Sequence, residues 1–228
     1  MRLAALYSGG KDSTFAIMEA IKSGHEIKHL ITMAPERDDS YMFHYPCIDL
    51  TRMQAESMGI NQVWKETAGN KEAELVDLRA AIEGVRGDID GVLSGAVSSQ
   101  YQKQRIDGIC RQLNLESVTP LWGRDAYDLM KEMAGSMDII ITAVSTSGLD
   151  RNWLGRKIST VTVEELRMLA QRTHFNIQFE GGEAETLVTD CPLFSKKLVI
   201  ADYEKVWDSR TSSGYIRANG VKMVPKKI

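Results

Sequence analysis

The start of the sequence carries residues that could bind phosphate. An apolar run at residues 3–7 leads into Ser8-Gly9-Gly10-Lys11-Asp12-Ser13, and an apolar helical stretch follows at once. Two glycines allow a tight turn that brings the backbone close to an anion, and the free N–H groups and dipole at a helix start favour negative charge. Residues 8–13, hereafter the phosphate loop, therefore predict a phosphate-binding turn between a strand and a helix.

The spacing within the phosphate loop separates it from two commoner nucleotide motifs. The Walker pattern needs four residues between its glycines and a Gly-Lys-Ser/Thr end, and the dinucleotide pattern needs three spaced glycines. The loop instead resembles the Ser-Gly-Gly-x-Asp-Ser PP-loop of the N-type ATP pyrophosphatases at every defining position. This resemblance implies that the loop holds the pyrophosphate part of ATP, which is cleaved between its α and β phosphates.

The same resemblance implies roles for the individual residues. Lys11 would add positive charge and Asp12 would help hold Mg²⁺, so both are expected to be catalytic. The simpler alternative is a Ser-Gly-Gly turn in which Asp12 or a serine caps the helix, but six matched positions favour ATP. The residues expected to bind ATP are Ser8, Gly9, Gly10, Lys11, Asp12, Ser13, Met33 and Gly95.

A second group of candidate residues lies late in the chain. Glu180-Gly181-Gly182-Glu183-Ala184-Glu185-Thr186, hereafter the glutamate motif, concentrates three carboxylates around a glycine pair. Glu183 and Glu185 are two residues apart, so in an extended segment they face the same way and could bind a cation, position an amine or accept a proton. The simpler alternative is a solvated turn before an edge strand.

The glutamate motif resembles the signature of the diphthine-ammonia ligases, PP-loop enzymes that amidate diphthine on translation elongation factor 2. Two positions depart from the family pattern: Ala184 stands where an aromatic residue is expected, and Phe43 where tyrosine is common. Neither carries proton chemistry, so these departures concern the substrate pocket and leave the reaction class unchanged. Further segments that look like family segments, in family order across essentially the whole chain, are residues 41–44, 94–96, 99–105, 120–122, 148–150 and 153–156.

The resemblance implies a complete reaction. Attack of the acceptor carboxylate on the α-phosphate of ATP would give an acyl-adenylate and pyrophosphate, and ammonium would then displace AMP. Glu183 or Glu185 would orient the ammonium and take its proton. Two of the expected acceptor-binding residues have simpler alternatives. Arg105 could lie on the solvent-exposed face of its helix, and His44 could serve only in packing or hydrogen bonding. The residues expected to bind the acceptor are His44, Tyr101, Arg105, Glu180, Gly181, Gly182 and Thr186.

Three other functions stay open. A tRNA-modifying PP-loop enzyme would share the phosphate loop, although it would want a basic surface and often paired cysteines. A relative in an organism without diphthamide would amidate another carboxylate. An adenine-nucleotide sensor would bind ATP or AMP without chemistry and would not need the glutamate motif.

The elements that must position these residues alternate between short apolar runs and amphipathic stretches, which is typical of strand-helix units in a parallel sheet. Helix 101–113 would place Ile106, Ile109, Cys110 and Leu113 on one apolar stripe. The predicted fold is α/β, a Rossmann-like (HUP-type) parallel sheet sandwiched by helices. The expected strands are residues 3–7, 27–33, 62–64 and 91–93, and the other expected helices are residues 12–23, 48–58 and 71–85.

The regular alternation pauses at residues 120–123, where we place a domain boundary. Residues 1–123 would form a PP-loop ATP-binding domain, and residues 124–228 a smaller α+β acceptor-binding domain that carries the glutamate motif. Thr162 is the expected N-cap of a helix in this second domain. That helix is expected at residues 163–173. The other expected elements of the second domain are a helix at 124–134, an apolar run at 138–144, and strands at 197–201 and 214–218.

The composition is that of an ordinary globular protein: 228 residues, 43% hydrophobic and 26% charged. The net charge of −3 disfavours nucleic acid as a partner except through the substrate factor. Three separated cysteines fit reduced thiols in the cytoplasm and offer no glutaminase centre, so free ammonium is the expected nitrogen source. Export and membrane insertion are not expected, since no signal sequence or long apolar stretch is present. A homodimer is a candidate assembly.

Overall fold

The computed structural model describes residues 1–35, 47–67 and 71–226. They form two compact units. The first unit comprises Met1–Ser8 and Asp12–Gly123, and the second comprises Gly9–Lys11 and Arg124–Ile228. Within the described ranges, no helix is both long and apolar enough to cross a bilayer.

The first unit is built on a five-stranded sheet in the order β3-β2-β1-β4-β5, and every neighbouring pair is parallel. The chain adds strands first on one side of β1 and then on the other, so the strand order reverses between β1 and β4. The strands are β1 (Arg2–Leu6), β2 (Glu26–Pro35), β3 (Asn61–Thr67), β4 (Gly91–Leu93) and β5 (Glu116–Val118).

Helices flank this sheet, which confirms the predicted α/β class. They are α1 (Lys11–Lys22), α2 (Thr51–Met58), α3 (Lys71–Val85) and α4 (Gln100–Leu113). The apolar stripe predicted on α4 is buried and belongs to a core cluster that also contains Ala4 and Val92 of the central strands. Ser99 caps α4 by accepting a hydrogen bond from the N–H of Gln102. The sequence pattern therefore places α4 directly against the strands that end at the reversal.

The second unit combines two α-helices and a short 3-10 helix (Arg151–Trp153) with an antiparallel sheet in the order β7-β6-β10-β9, and β8 also pairs with β6. All of its strand pairs are antiparallel. Its elements are α5 (Ala126–Ser136), β6 (Asp138–Val144), β7 (Lys157–Ile158), α6 (Thr160–Thr173), β8 (Ala184–Asp190), β9 (Lys196–Asp208) and β10 (Ser213–Pro225).

Two expected details of the second unit are wrong. Ser159, not Thr162, is the N-cap of α6, because the Ser159 hydroxyl accepts a hydrogen bond from the Thr162 N–H at 3.2 Å. The two late strands are also longer than expected, since β9 and β10 each run for 13 residues as one hairpin. The β9–β10 hairpin carries many charged side chains. A solvent-exposed strand lacks a continuous apolar run, so its full length could not be predicted from the sequence.

Candidate functional site

The phosphate loop connects β1 to α1, as a strand, a turn and a helix in direct succession. Gly9 has a φ of 77°, a backbone conformation that glycine adopts without steric cost. In open parallel sheets, ligands bind outside the carboxyl ends of the strands where the strand order reverses. The loop follows β1, and residues 94–96 follow β4, so both lie at this reversal.

Gly95 lies against the phosphate loop. A Cβ atom added to Gly95 would lie 2.7 Å from the Asp12 carbonyl carbon and 2.8 Å from the Ser13 nitrogen, distances that real Cβ atoms do not show. The first and last residues of the loop also meet, since the Ser8 and Ser13 hydroxyls are 3.2 Å apart. The structure thus brings together Ser8, Asp12, Ser13 and Gly95, four residues that the sequence assigned to ATP.

The middle of the loop, Gly9–Lys11, is hydrogen-bonded within the second unit. Gly9 O accepts a hydrogen bond from the Val188 N–H at 3.0 Å, and the Lys11 N–H donates to Thr186 Oγ1 at 3.2 Å. Lys11 Nζ donates to the main-chain oxygen of Gln178 at 2.6 Å. The structure therefore joins Lys11 of the phosphate loop to Thr186 of the glutamate motif.

The Lys11 side chain is only 2% exposed, so its ammonium group needs compensation for lost water. Besides the Gln178 oxygen, its Nζ atom lies 5.5 Å from the centroid of the Phe179 ring. A cation over an aromatic face is attracted by the ring quadrupole. The Phe179 ring is fixed in turn by stacking on Phe175, with centroids 6.2 Å apart. The charge of Lys11 is thus held in one place.

Glu183 organises the turn that precedes β8. Its Oε1 accepts a hydrogen bond from the Asn176 N–H at 3.0 Å, and its Oε2 accepts one from the Gly181 N–H at 2.8 Å. The Glu183 main-chain oxygen also accepts from the Ser145 N–H at 2.8 Å. Both carboxylate oxygens are therefore used by the backbone, which gives this glutamate a clear structural role.

Glu185 has a different setting. It is the second residue of β8, is half-buried, and pairs with Ala143 of β6. The register shifts between Ile141 and Ala143, so β6 carries an extra residue directly opposite this part of the motif. Such bulges re-aim side chains and are common beside active sites. Between Glu183 and Glu185, Glu185 is therefore the better candidate for proton chemistry.

The remaining predicted site residues lie in four different places along the chain. Met33 is half-buried on β2 near its carboxyl end. Tyr101 is 52% exposed on α4, and the Arg105 guanidinium carbon lies 3.8 Å from its ring centroid. His44 lies outside the described residues. In the glutamate motif, Glu180 is half-buried, and Gly181 and Gly182 are exposed.

Comparison with known proteins assigns the family. The model of the diphthamide synthase N-terminal domain matches residues 1–117, and the model of the diphthamide synthase C-terminal domain matches residues 125–224. This chain belongs to the diphthamide synthase family. Its membership agrees with the resemblance found in the phosphate loop and the glutamate motif.

Curated relatives of this family are described as diphthine-ammonia ligases, which are ligase enzymes. The rat protein (Rattus norvegicus) is 32% identical, over 99% of this chain and 94% of the relative. The mouse protein (Mus musculus) is 34% identical, over 92% and 86%. The human protein (Homo sapiens) is 32% identical, over 90% and 85%. The chain is therefore an enzyme of the ligase class.

Among solved structures, a chain described as a predicted subunit of a tRNA methyltransferase from Methanocaldococcus jannaschii aligns with a TM-score of 0.46 and 17% identity. The alignment covers 84% of this chain and 98% of that chain. Similarity at this level supports no inference about function.

Sequence reasoning missed Gln178, which the structure places beside Lys11. Gln178 is 1% exposed, and its Nε2 atom donates a hydrogen bond to the main-chain oxygen of Ala126 at 3.0 Å. A lone glutamine two residues before the glutamate motif carries no local signal of a role. Only its position next to the family signature could have drawn attention to it.

Two of the cysteines are unsuited to thiol chemistry. Burial raises the pKa of Cys110 to about 11, and the nearby Asp107 carboxylate adds to this shift. Burial likewise raises the pKa of Cys191 to about 11. Because the thiolate is the reactive form, both side chains are inert near neutral pH.

Proposed function

We propose that this chain is an ATP-dependent diphthine-ammonia ligase. It converts diphthine on translation elongation factor 2 to diphthamide with ammonium, and it releases AMP and pyrophosphate through an acyl-adenylate. The proposal places the enzyme in the cytoplasm with its protein substrate. Family membership and the names of the curated relatives support the amidation of diphthine.

The observation that carries the use of ATP is the position of the phosphate loop. It follows the central strand at the reversal of the strand order, and Gly95 packs against its backbone so closely that there is no room for a side chain between them. Helix α1 begins within the loop, so its N-terminal N–H groups favour a phosphate there. In the proposal, the loop binds the β and γ phosphates and leaves the α-phosphate open to attack.

Mg²⁺ is the proposed metal, and Asp12 is the residue that would hold it. Among the described residues, no group of three or more His, Cys, Asp or Glu side chains could form a complete metal site. Mg²⁺ does not require such a site, since it commonly uses one or two carboxylates together with substrate phosphates and water. A single aspartate in the phosphate loop is consistent with this mode of Mg²⁺ coordination. When bound, Mg²⁺ would neutralise charge on the departing pyrophosphate.

The chain must supply positioning and charge for adenylation, because a carboxylate has no good leaving group until it is activated. The Lys11 ammonium group, which is held by the Gln178 oxygen and the Phe179 ring, would stabilise negative charge on the phosphates. Holding the carboxylate and the α-phosphate in line removes most of the entropic barrier.

Amide formation needs a proton acceptor, since ammonium must lose a proton before it can attack the acyl-adenylate. We assign this role to Glu185. Glu183 shapes the turn through its two backbone hydrogen bonds and would act mainly by placing the segment that leads into β8.

One experiment tests the proposal directly. The protein is incubated with ATP, Mg²⁺ and ammonium, together with diphthine-bearing elongation factor 2, the same factor without diphthine, or tRNA. AMP release is measured, and the acceptor is analysed by mass spectrometry. We expect AMP release and replacement of a carboxylate oxygen by nitrogen only on the diphthine-bearing factor.

Each other outcome points to a different function. AMP release with tRNA alone would replace the proposal with tRNA modification. AMP release with the factor regardless of diphthine would indicate another carboxylate. ATP binding without AMP release from any acceptor would favour a nucleotide sensor.

A further inference from the structure

We propose that Gln178 is a positioning residue that sets the place of the Lys11 ammonium group in the phosphate loop. The proposal rests on the proposed function for its catalytic consequence, although the contact itself does not depend on it. Gln178 would act through Lys11 and would not touch ATP or the acceptor.

The main chain of Gln178 provides the contact to Lys11. Lys11 Nζ donates to the Gln178 oxygen at 2.6 Å, a short distance typical of a charged donor. A main-chain carbonyl cannot swing away as a side chain can, so its place depends on how the surrounding segment is anchored. Phe179, the next residue, has a φ of 63°, a left-handed conformation that fixes the chain direction immediately after this carbonyl.

The two nitrogen atoms of Gln178 provide that anchoring. Its N–H donates to Asn176 Oδ1 at 2.9 Å, and its Nε2 donates to the Ala126 oxygen at 3.0 Å. Ala126 is the first residue of α5, whose start is fixed by Asp125, an N-cap that accepts hydrogen bonds from the next two N–H groups after Ala126. The side chain of Gln178 therefore ties the carbonyl that holds Lys11 to a rigid helix end.

Burial of the Gln178 side-chain amide costs free energy, which its anchoring hydrogen bond to Ala126 offsets only in part. Gln178 is 1% exposed, and its Oε1 atom has no hydrogen-bond partner among the residues that the structure describes. An unsatisfied buried polar atom costs free energy, and a methionine would fill a similar volume without that cost. Only the donor half of the amide is used by the fold, which is the half that reaches Ala126.

The first test follows Lys11 directly. Wild type and Gln178→Met are treated with an amine-acetylating reagent, and the rate of labelling at each lysine is read by peptide mass spectrometry. Lys11 should be protected in the wild type because it is 2% exposed. We expect Gln178→Met to raise the Lys11 rate about tenfold through local opening, and to leave the exposed Lys22 unchanged.

Gln54→Met is the matched control. Gln54 is a fully buried glutamine on α2 of the first unit, so its replacement introduces the same chemical change at the same burial. Its Lys11 labelling should equal that of the wild type. Equal Lys11 rates in Gln178→Met and the wild type would overturn the proposal, as would an equal rise in Gln54→Met.

The second test asks whether the effect passes through Lys11. With AMP release as the readout, Gln178→Met should lower kcat about tenfold or more and change KM for ATP little. In a Lys11→Met background, adding Gln178→Met should cause no further loss, because the group that it positions is absent. Additive losses in the double variant would mean that Gln178 acts elsewhere, and would overturn the proposal.

Two controls keep the outcomes separate. If Gln178→Met gives no cooperative thermal unfolding, Gln178→Leu replaces it, since leucine is apolar, is shorter than methionine and also cannot donate to Ala126. If the wild type releases no AMP with any acceptor, the proposed function fails, and the labelling rates still decide whether Gln178 positions Lys11.

Discussion

Gly95 lies so close to Asp12 that a Cβ atom at position 95 would stand 2.7 Å from the Asp12 carbonyl carbon. The loop after β4 thus supports the phosphate loop backbone to backbone, with no side chain to adjust between them. Any side chain at Gly95 must push the phosphate loop out of its place. A substitution at Gly95 therefore tests the packing of the phosphate loop without changing any charge or hydrogen-bonding group of the site.

Gly95→Ala is predicted to lower kcat/KM for ATP by about 10- to 100-fold, because small displacements of a phosphate-binding loop are costly for catalysis. Overpacking should also reduce the free energy of unfolding by about 1–3 kcal/mol. AMP release and urea unfolding measure the two effects.

Gly108→Ala is the control for this change. Gly108 lies on α4 and has no atom within 4 Å of an added Cβ, so alanine should stabilise the helix by about 0.5–1 kcal/mol and leave AMP release unaltered. If Gly95→Ala releases AMP as fast as the wild type, Gly95 does not hold the phosphate loop in place.

Glu183 and Glu185 should respond differently to replacement by glutamine. Glu183→Gln removes one of two acceptors for backbone N–H groups, and we expect a loss of about 1–2 kcal/mol in the free energy of unfolding. Glu185→Gln should lower amide formation about 100-fold, because an amide cannot take the proton that the carboxylate would accept. Urea unfolding and amide formation at saturating ATP separate the two roles. Unchanged amide formation in Glu185→Gln would contradict the proton-accepting role assigned to Glu185.

A side chain at Gly155 is opposed by two features that can be separated. Gly155 has a φ of 77°, and an added Cβ would overlap Tyr203 Oη, so the tyrosine ring would have to shift. Gly155→Ala is predicted to cost about 2 kcal/mol or more, measured by urea unfolding. Gly123 has a similar φ of 73° but open space around it, so Gly123→Ala should cost only about 1 kcal/mol. Equal costs at the two positions would show that Tyr203 contributes nothing.

Alkaline pH should destabilise the protein through its two buried thiols. Burial raises the pKa of Cys110 and of Cys191 from 9.0 to about 11. Below pH 9 both states keep the thiols protonated, and between pH 9 and 11 the unfolded chain ionises while the folded chain does not, so stability falls as pH rises. Cys191→Ala should make this decline shallower, as followed by urea unfolding across that range. At pH 8, iodoacetamide should leave both thiols of the native protein unmodified.

Local patterns predicted much of the first unit. The apolar run that becomes β1 is broken at once by the phosphate loop, and the stripe on α4 has a clear helical period, so both signals lie within a few residues. Strand β5 was not predicted. Its three residues, Glu116–Val118, are too few and too polar to show any period, and they become a strand only by pairing with β4.

The candidate site was predictable only in part, because its decisive contacts join distant residues. The sequence identifies the phosphate loop and the glutamate motif as separate segments, but it does not pair Lys11 with Gln178, which is 167 residues away. The cap of α6 shows the same limit at short range. Ser159 and Thr162 are both good caps by type, and only the backbone geometry selects Ser159.

The hydrogen bonds of Gly9–Lys11 set a condition on how this protein can be divided or recombined. A fragment of residues 1–123 would contain every letter of the phosphate loop and none of the groups that bind its middle: the Gln178 oxygen, the Thr186 hydroxyl and the Val188 N–H. Likewise, a chimera that takes residues 124–228 from a relative would bind this tripeptide only if the relative places the same three groups in the same positions. Residues 9–11 and 178–188 are therefore best exchanged together.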